Sequence, residues 1–346
     1  METISIGILG FAHGHVDAYC NKWRENPDWG VRAIAGWDHD ADRLSGAVGR
    51  YGLAACESVE ALLARKDVRA VVIAAETSRH AELVEQAAAA GKAIIVQKPL
   101  ALTLVEADRM VAAVERHRVP FTMAWQMRVD PHNLQARELL ASGKFGRVYM
   151  VRRRHCLNTQ DWPNFDRTWH VQPQFNRDIF ADDAAHPLDF IYWLLGRPVS
   201  VMAEMGTLLN PKVVNDNGIA VFRYADGLFA EVSCTFVAPA GENTLEIVAE
   251  KGVIIGNHGD VPSTNTRPAG APQLKWWLKG DSGWKTSNVP EITGQGQRIA
   301  GLAQPLAEFL HGRRAPIATA AEGRDVLRMV QGCYDSAESG ARIKLW

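Results

Sequence analysis

The chain reads as α/β: an N-terminal Rossmann-type, doubly wound parallel sheet, followed by an α+β domain with a large, mostly antiparallel open sheet. Three observations predict this. Short aliphatic runs alternate with helical periods over the first 125 residues, and repeated βαβ units imply a parallel sheet with right-handed crossovers. Between about residues 199 and 255 the apolar period falls toward two, with turn signals at Asn215-Asp216-Asn217-Gly218 and Ala225-Asp226-Gly227, as in antiparallel strands. Finally, the β-branched run Ala93-Ile94-Ile95-Val96 stops abruptly at Gln97-Lys98-Pro99. That puts a lysine at the carboxyl end of a buried parallel strand, where open α/β sheets bind ligands. The domains are expected at residues 1–125 and 126–346.

Taken in order, residues 4–9 form an apolar run short enough for a buried strand. Residues 14–26 read as a helix ended by Pro27, and residues 31–37 as the second strand. Residues 40–51 carry Leu44, Val48 and Tyr51 at helical spacing, with Gly52 as a stop. Ser58 caps a short helix over 59–65, and 68–75 is another buried strand. An alanine-rich helix over 78–90 closes at Gly91. The lysine strand, a helix over 104–117 and a strand over 120–125 complete the first domain. Beyond it, a helix over 131–141, a strand over 148–156, a polar and aromatic loop to about 176, and a helix over 183–195 precede the antiparallel region. The stretch 256–295, rich in Gly, Pro, Asn and Ser, reads as loops around one or two short strands. Two helices, 298–311 and 321–339, close the chain.

Composition narrows the function. At 346 residues the chain can bury two large cores, and 47% hydrophobic with 22% charged residues is ordinary for a globular protein. A net charge of −1 carries no electrostatic footprint for nucleic acid or anionic membrane. No apolar run reaches membrane-spanning length, and residues 3–10 carry no basic leader. Five scattered cysteines, an odd number, suit free thiols in a reducing cytoplasm. No Cys-x-x-Cys offers a thiolate zinc site.

Three constellations carry chemistry. Gly10, Phe11, Ala12, His13, Gly14 and His15 lie between the first strand and first helix, where a Rossmann unit cradles a pyrophosphate on backbone amides. The strict Gly-x-Gly-x-x-Gly is absent: Ala12 and His15 stand at the second and third glycine positions. Asp38 ends the second strand. An acid there accepts from ribose hydroxyls and repels a 2′-phosphate; with His39 rather than Arg following, NAD is favoured over NADP. A helix cap is the competing role, one that Asp40 could also fill. His13 and His15 could instead be a metal pair of a barrel hydrolase, but the antiparallel second half conflicts with a barrel, so no metal is expected. The third is Asp182-Asp183-Ala184-Ala185-His186-Pro187-Leu188-Asp189. Asp182 and His186 share a helix face if the helix begins by Asp182, Asp189 could orient the ring, and an imidazole suits proton transfer to a hydroxyl or carbonyl. Lys98 can trade protons in the same way, because a buried ammonium readily loses one. Substrate selection is expected between Arg152 and Trp169: Arg153 and His155 share one strand face, and Trp162 and Trp169 could stack on a sugar ring or simply pack the loop. Gln126 and Arg128, after the sixth strand, could reach the same cleft.

The early glycine loop, Glu76-Thr77-Ser78-Arg79-His80-Ala81-Glu82 after a parallel strand, Gln97-Lys98-Pro99-Leu100, and Asp182-x-x-x-His186-x-x-Asp189 occur in that order. Together they resemble the glucose–fructose oxidoreductase / inositol dehydrogenase / rhizopine catabolism family, Gfo/Idh/MocA, from residue 3 to the terminal segment 323–343. The resemblance implies NAD or NADP in the first domain and oxidation or reduction of sugars, cyclitols and related polyols at a secondary alcohol. It implies that Lys98, Asp182 and His186 are the catalytic group: His186 takes the hydroxyl proton, Lys98 polarises the oxygen, and Asp182 anchors the substrate. It also implies that Ala75, Glu76, Thr77 and His80 lie along the cofactor, with Gln97 and Lys98 near the nicotinamide ribose. Lys98, Gln126, His155, Trp162, Trp169, Asp182 and His186 are the expected substrate contacts. Two departures stand out: Gln97 replaces the family's glutamate, losing its charge, and Asn176-Arg177-Asp178 replaces its Gly-Gly-Gly. Within the family a glycosidase or lyase that oxidises its substrate only transiently is the alternative activity, with a non-catalytic nucleotide sensor or the metal hydrolase behind it. A homodimer or homotetramer through the second-domain sheet is expected, with no nucleic acid or membrane partner.

Overall fold

The computed structural model describes residues 2–257, 270–292 and 294–346, so part of the loop region anticipated over 256–295 lies outside the described residues. The chain divides into two compact units: residues 1–126, 174–176 and 298–327 form the first, and residues 127–173, 177–297 and 328–346 the second.

The first unit alternates β1 (Ile4–Leu9), α1 (His15–Glu25), β2 (Val31–Trp37), α2 (Ala41–Tyr51), β3 (Ala54–Ala55), α3 (Val59–Leu63), β4 (Ala70–Ile73), α4 (His80–Ala89), β5 (Ala93–Val96), α5 (Leu104–His117) and β6 (Phe121–Met123). The strands are parallel in the order β3-β2-β1-β4-β5-β6. The sheet is open, which removes the barrel that a metal-hydrolase reading needs. Every residue of β4 is buried, which is why it reads as a continuous aliphatic run rather than an alternating one. The order reverses between β1 and β4, so their carboxyl ends flank the crevice where such sheets bind ligands. The two-residue β3 has no period to read and escaped the sequence analysis.

The chain continues through α6 (Pro131–Ala141), β7 (Val148–Cys156), the short α7 (Pro173–Asn176), a π-helical turn (Phe180–Ala184) and α8 (Ala185–Leu195). Then come β8 (Ser200–Gly206), β9 (Asn217–Arg223), β10 (Phe229–Thr235), β11 (Thr244–Ala249), β12 (Gly252–Asn257), β13 (Leu274–Leu278) and β14 (Lys285–Thr286). Last are α9 (Gln295–Ala300), α10 (Ala303–Leu310), α11 (Ala320–Ser339) and β15 (Ile343–Lys344). The second sheet has the order β14-β13-β12-β11-β7-β10-β9-β8-β15. Its neighbours are antiparallel except β7 and β10, which run parallel. Alternation sorts its faces: Ala230, Val232 and Cys234 of β10 are buried, and α8 packs over β7 and β10 on that side.

Two expectations change. The helix expected over 298–311 is broken into α9 and α10. Pro305 sits in the first turn of α10, and its ring would clash with the Gly301 carbonyl if the helix ran through. The helix expected from residue 183 is preceded by the π-helical turn, an irregularity often found at functional sites.

Candidate active site

In the first unit the loop after β1 is stitched to its neighbours by backbone. Gly10 N–H donates to the Trp37 carbonyl (2.8 Å) and His13 N–H to the Ala74 carbonyl (2.9 Å). Gly10 has φ +87°, and a Cβ there would lie 2.4 Å from the Cα of Ala75. Only glycine allows the loops after β1 and β4 to meet this closely. Gly14, at the N-cap of α1, is exposed, with open space where its Cβ would stand. A helix N-terminus beside open space is a place where a pyrophosphate can bind. Phe11 and Ala12 are half-buried; His13 is buried, its ring edge-on to His15 with centroids 4.3 Å apart. Among the described residues no group of three or more His, Cys, Asp and Glu is placed to hold a metal ion.

Asp38 and Asp40 divide the two roles proposed for them. Asp40 caps α2, accepting from the N–H groups of Asp42 and Arg43 at 3.0 Å each. Those bonds, Arg43 first, hold its carboxyl below the usual range. Asp38 is buried and accepts from Phe11 N–H (2.7 Å), Asp40 N–H (2.8 Å) and the Arg43 guanidinium (2.9 Å). Arg43 reaches on to Glu76 Oε1 at 2.8 Å. Burial opposes the Arg43 charge, but the two carboxylates outweigh it and raise its pKa. Sequence reading passed over Arg43; its place one turn into the helix after Asp38 was the available signal.

The loops after β4 and β5 are joined by His80. Its Nδ1 lies 2.9 Å from the Pro99 carbonyl and 3.2 Å from that of Leu100, and its Nε2 lies 3.1 Å from the Ala75 carbonyl. Burial pushes its pKa down, more than those carbonyls restore; the neutral ring this favours carries one N–H and donates on one side only. Lys98 is 3% exposed and precedes a cis peptide bond to Pro99. Gln97 is fully buried and donates to the Tyr19 hydroxyl (2.9 Å). Burial raises the Tyr19 pKa far above its ordinary value. The Thr77 hydroxyl donates to Asn176 Oδ1 (2.6 Å), and Gln126 is fully buried. Arg177, where the resembled family has glycine, takes φ +61°.

The second unit gathers carboxylates and imidazoles around the π-helical turn. Successive aspartates serve different rings: Asp182 Oδ2 lies 3.0 Å from His170 Nδ1, while Asp183 Oδ2 lies 3.0 Å from His155 Nε2 and Asp183 Oδ1 lies 3.5 Å from His186 Nε2. The rings of His155 and His186 are 6.1 Å apart. His155 lies on the buried face of β7 with Arg153, while Arg152 faces out to Glu231 at 3.2 Å. Asp189, expected to orient His186, accepts a forked pair of bonds from Arg128 at 2.8 to 3.1 Å. Trp162 packs edge-on against Phe165 and Trp169 stacks on His170, with centroids 5.1 and 3.9 Å apart; both tryptophans are half-buried. The sequence reading missed His170 and Asp183. The doubled Asp182-Asp183 was their only local signal.

Comparison with known proteins agrees with this architecture. The model of the oxidoreductase family with an NAD-binding Rossmann fold matches residues 4–124, and that of the GFO/IDH/MocA C-terminal domain matches residues 133–255. An inositol 2-dehydrogenase of Rhizobium meliloti is 29% identical, over 73% of this chain and 75% of that protein. A D-apiose dehydrogenase of Paraburkholderia graminis is 26% identical over 98% and 88%. The structure of a levoglucosan dehydrogenase in complex with NADH and L-sorbose superposes with a TM-score of 0.87 over 100% of both chains at 21% identity, a likeness of fold. With both family models matching in chain order over well over half of its length, the chain belongs to the GFO/IDH/MocA family of oxidoreductases, and residues 4–124 match that family's NAD-binding Rossmann domain.

Proposed function

We propose that the protein moves a hydride between NAD and a secondary alcohol or ketone of a sugar, cyclitol or related polyol. The observation that carries the reading is buried Lys98 at the carboxyl end of β5, backed by the His80 bracket, in a chain of this family. The named relatives act on inositol and apiose, which supports the polyol class.

NAD, when bound, supplies the hydride acceptor; the protein orients and exchanges protons. Gly10 to His15 hold the pyrophosphate at the start of α1, and Ala75, Glu76, Thr77, His80 and Gln97 shape the wall beside it. Asp38 and Glu76 set two carboxylates against the single guanidinium of Arg43, which disfavours a 2′-phosphate and so favours NAD over NADP. His186 takes the hydroxyl proton during oxidation, Lys98 polarises the oxygen, and Asp182, steadied by His170, anchors the substrate. His155, Gln126, Trp162 and Trp169 make the remaining substrate contacts.

The outward face of the second sheet carries the half-exposed side chains of Met150, Phe229, Met202 and Ile219, with Phe229 paired beside Met150. An apolar patch of this kind supports a homodimer or homotetramer formed through it. Five buried free cysteines, and no helix among the described residues long and apolar enough to cross a membrane, support a cytoplasmic enzyme.

The test is a screen of cyclitols, aldoses and keto-sugars with NAD and NADP in both directions, read by nicotinamide absorbance. Net NADH formation is expected; turnover without it would favour transient oxidation. Lys98→Met and His186→Ala should retain NADH binding while turnover falls about 10²- to 10⁴-fold, the size of lost acid–base catalysis. Rates like those of the unmodified enzyme in both variants would overturn the assignment.

A further inference from the structure

The π-helical turn does more than present Asp182. Its next residue, Asp183, puts one oxygen 3.0 Å from His155 Nε2 and the other 3.5 Å from His186 Nε2. The three residues come from three pieces of the fold: His155 lies on β7, Asp183 on the turn and His186 on α8. His155 is 3% exposed, and its Nδ1 has no hydrogen-bond partner among the described residues. Around it lie Phe236, edge-on at 6.4 Å, the His186 ring at 6.1 Å and, across the ladder, Cys234, with Arg153 on the same buried face of β7. A carboxylate only accepts, so the nitrogen it faces must carry the hydrogen. For a neutral imidazole that leaves the other nitrogen with a lone pair. An unsatisfied acceptor buried this deeply is costly unless something donates to it.

We propose that Asp183 is a positioning residue that fixes His155 as the Nε2–H tautomer, so that its Nδ1 accepts a hydrogen bond from a substrate hydroxyl. The same carboxylate steadies the neighbouring His186 ring. The inference rests on the polyol reading and refines it: the substrate carries, beside the carbon that is oxidised, a further hydroxyl that donates to His155. Asp182 and Asp183, consecutive on the π-helical turn, face different imidazoles.

Two measurements test it. In the first, imidazole ¹⁵N spectra of the unmodified enzyme should show His155 protonated at Nε2 and not at Nδ1, assigned by comparison with His155→Gln. In the second, Asp183→Asn should raise KM for the polyol about tenfold, the size of one lost hydrogen bond, and lower kcat as His186 loosens. The dissociation constant for NADH should stay within twofold, and Asp183→Glu should recover part of the loss. A His155 protonated at Nδ1 would overturn the proposal, as would an Asp183→Asn enzyme whose KM and kcat stay within twofold. If Asp183→Asn fails to fold, the spectrum alone decides. Failure of the wider reading looks different: His186→Ala would then turn over normally whatever Asp183 does.

Discussion

The polar groups around the strand ends of the first unit and the π-helical turn of the second differ in emphasis, although Gln97–Tyr19 and Thr77–Asn176 in the first are side-chain pairs too. In the first, side chains at the strand ends are held mostly by backbone: His80 by the carbonyls of Ala75, Pro99 and Leu100, and Asp38 by the amides of Phe11 and Asp40. In the second, side chain meets side chain across long stretches of sequence. His155 and Asp183 are 28 residues apart, and Arg128 and Asp189 are 61 apart. Backbone partners come with the fold and stay put when a side chain is changed. Side-chain partners are lost one at a time, and each loss strands a charge. The second unit should therefore be the more fragile to single substitutions and the more tolerant of paired ones.

The sharpest way to break that contrast is Arg128→Ala. Both members of the Arg128–Asp189 pair are almost wholly buried. Removing the cation leaves a carboxylate without its forked partner, and breaking a buried pair this way costs about 3–5 kcal/mol. Arg128→Met combined with Asp189→Leu should restore much of that, because an apolar pair of similar volume avoids the desolvation of two charges. Denaturant unfolding of the three proteins decides it. A single variant as stable as the parent would remove the contrast.

A smaller effect is expected at His80. Truncating it to Ala removes the ring's one N–H donor from the carbonyls it bridges, at a cost of about 1–3 kcal/mol. His80 also predicts a pH dependence. Burial lowers its folded pKa below the unfolded value of about 6.5, so folding favours the neutral ring. That contribution is fully present above pH 6.5 and declines as the pH falls toward the folded pKa. His80→Asn should thus lose less thermal stability than the parent between pH 7.5 and 5.5. An equal loss in both would show that His80 is not held neutral.

The same contrast explains what could be read in advance. The helix expected over 104–117 coincides with α5, whose start Thr103 and Glu106 box in adjacent sequence. The six parallel strands were legible as short buried runs, all but the two-residue β3. The lysine after β5 needed only its strand. In the second unit the sequence showed Asp182 and His186 but not which groups they meet. Asp183 finds His155 through a π-helical turn that no hydrophobic period encodes, and His170 meets Asp182 out of a loop of short 3₁₀ turns. Backbone-held groups follow from local pattern; side-chain partners wait for the tertiary fold.

The smallest effect sharpens the contrast from the local side. The Thr103 hydroxyl accepts from Glu106 N–H at 3.2 Å, and the Glu106 carboxylate accepts from Thr103 N–H at 2.9 Å. This reciprocal box satisfies donors that the first turn of α5 would otherwise leave open. Thr103→Ala should cost about 1 kcal/mol and leave catalysis alone, since the box lies at an exposed helix start. Thr103→Ser, which keeps the oxygen, should cost a fraction of that. The cost should also add to that of Arg128→Ala, because the box joins Thr103 to Glu106 while the buried pair joins Arg128 to Asp189. Clear non-additivity in denaturant unfolding would mean that local caps and buried side-chain pairs are not the independent systems this comparison describes.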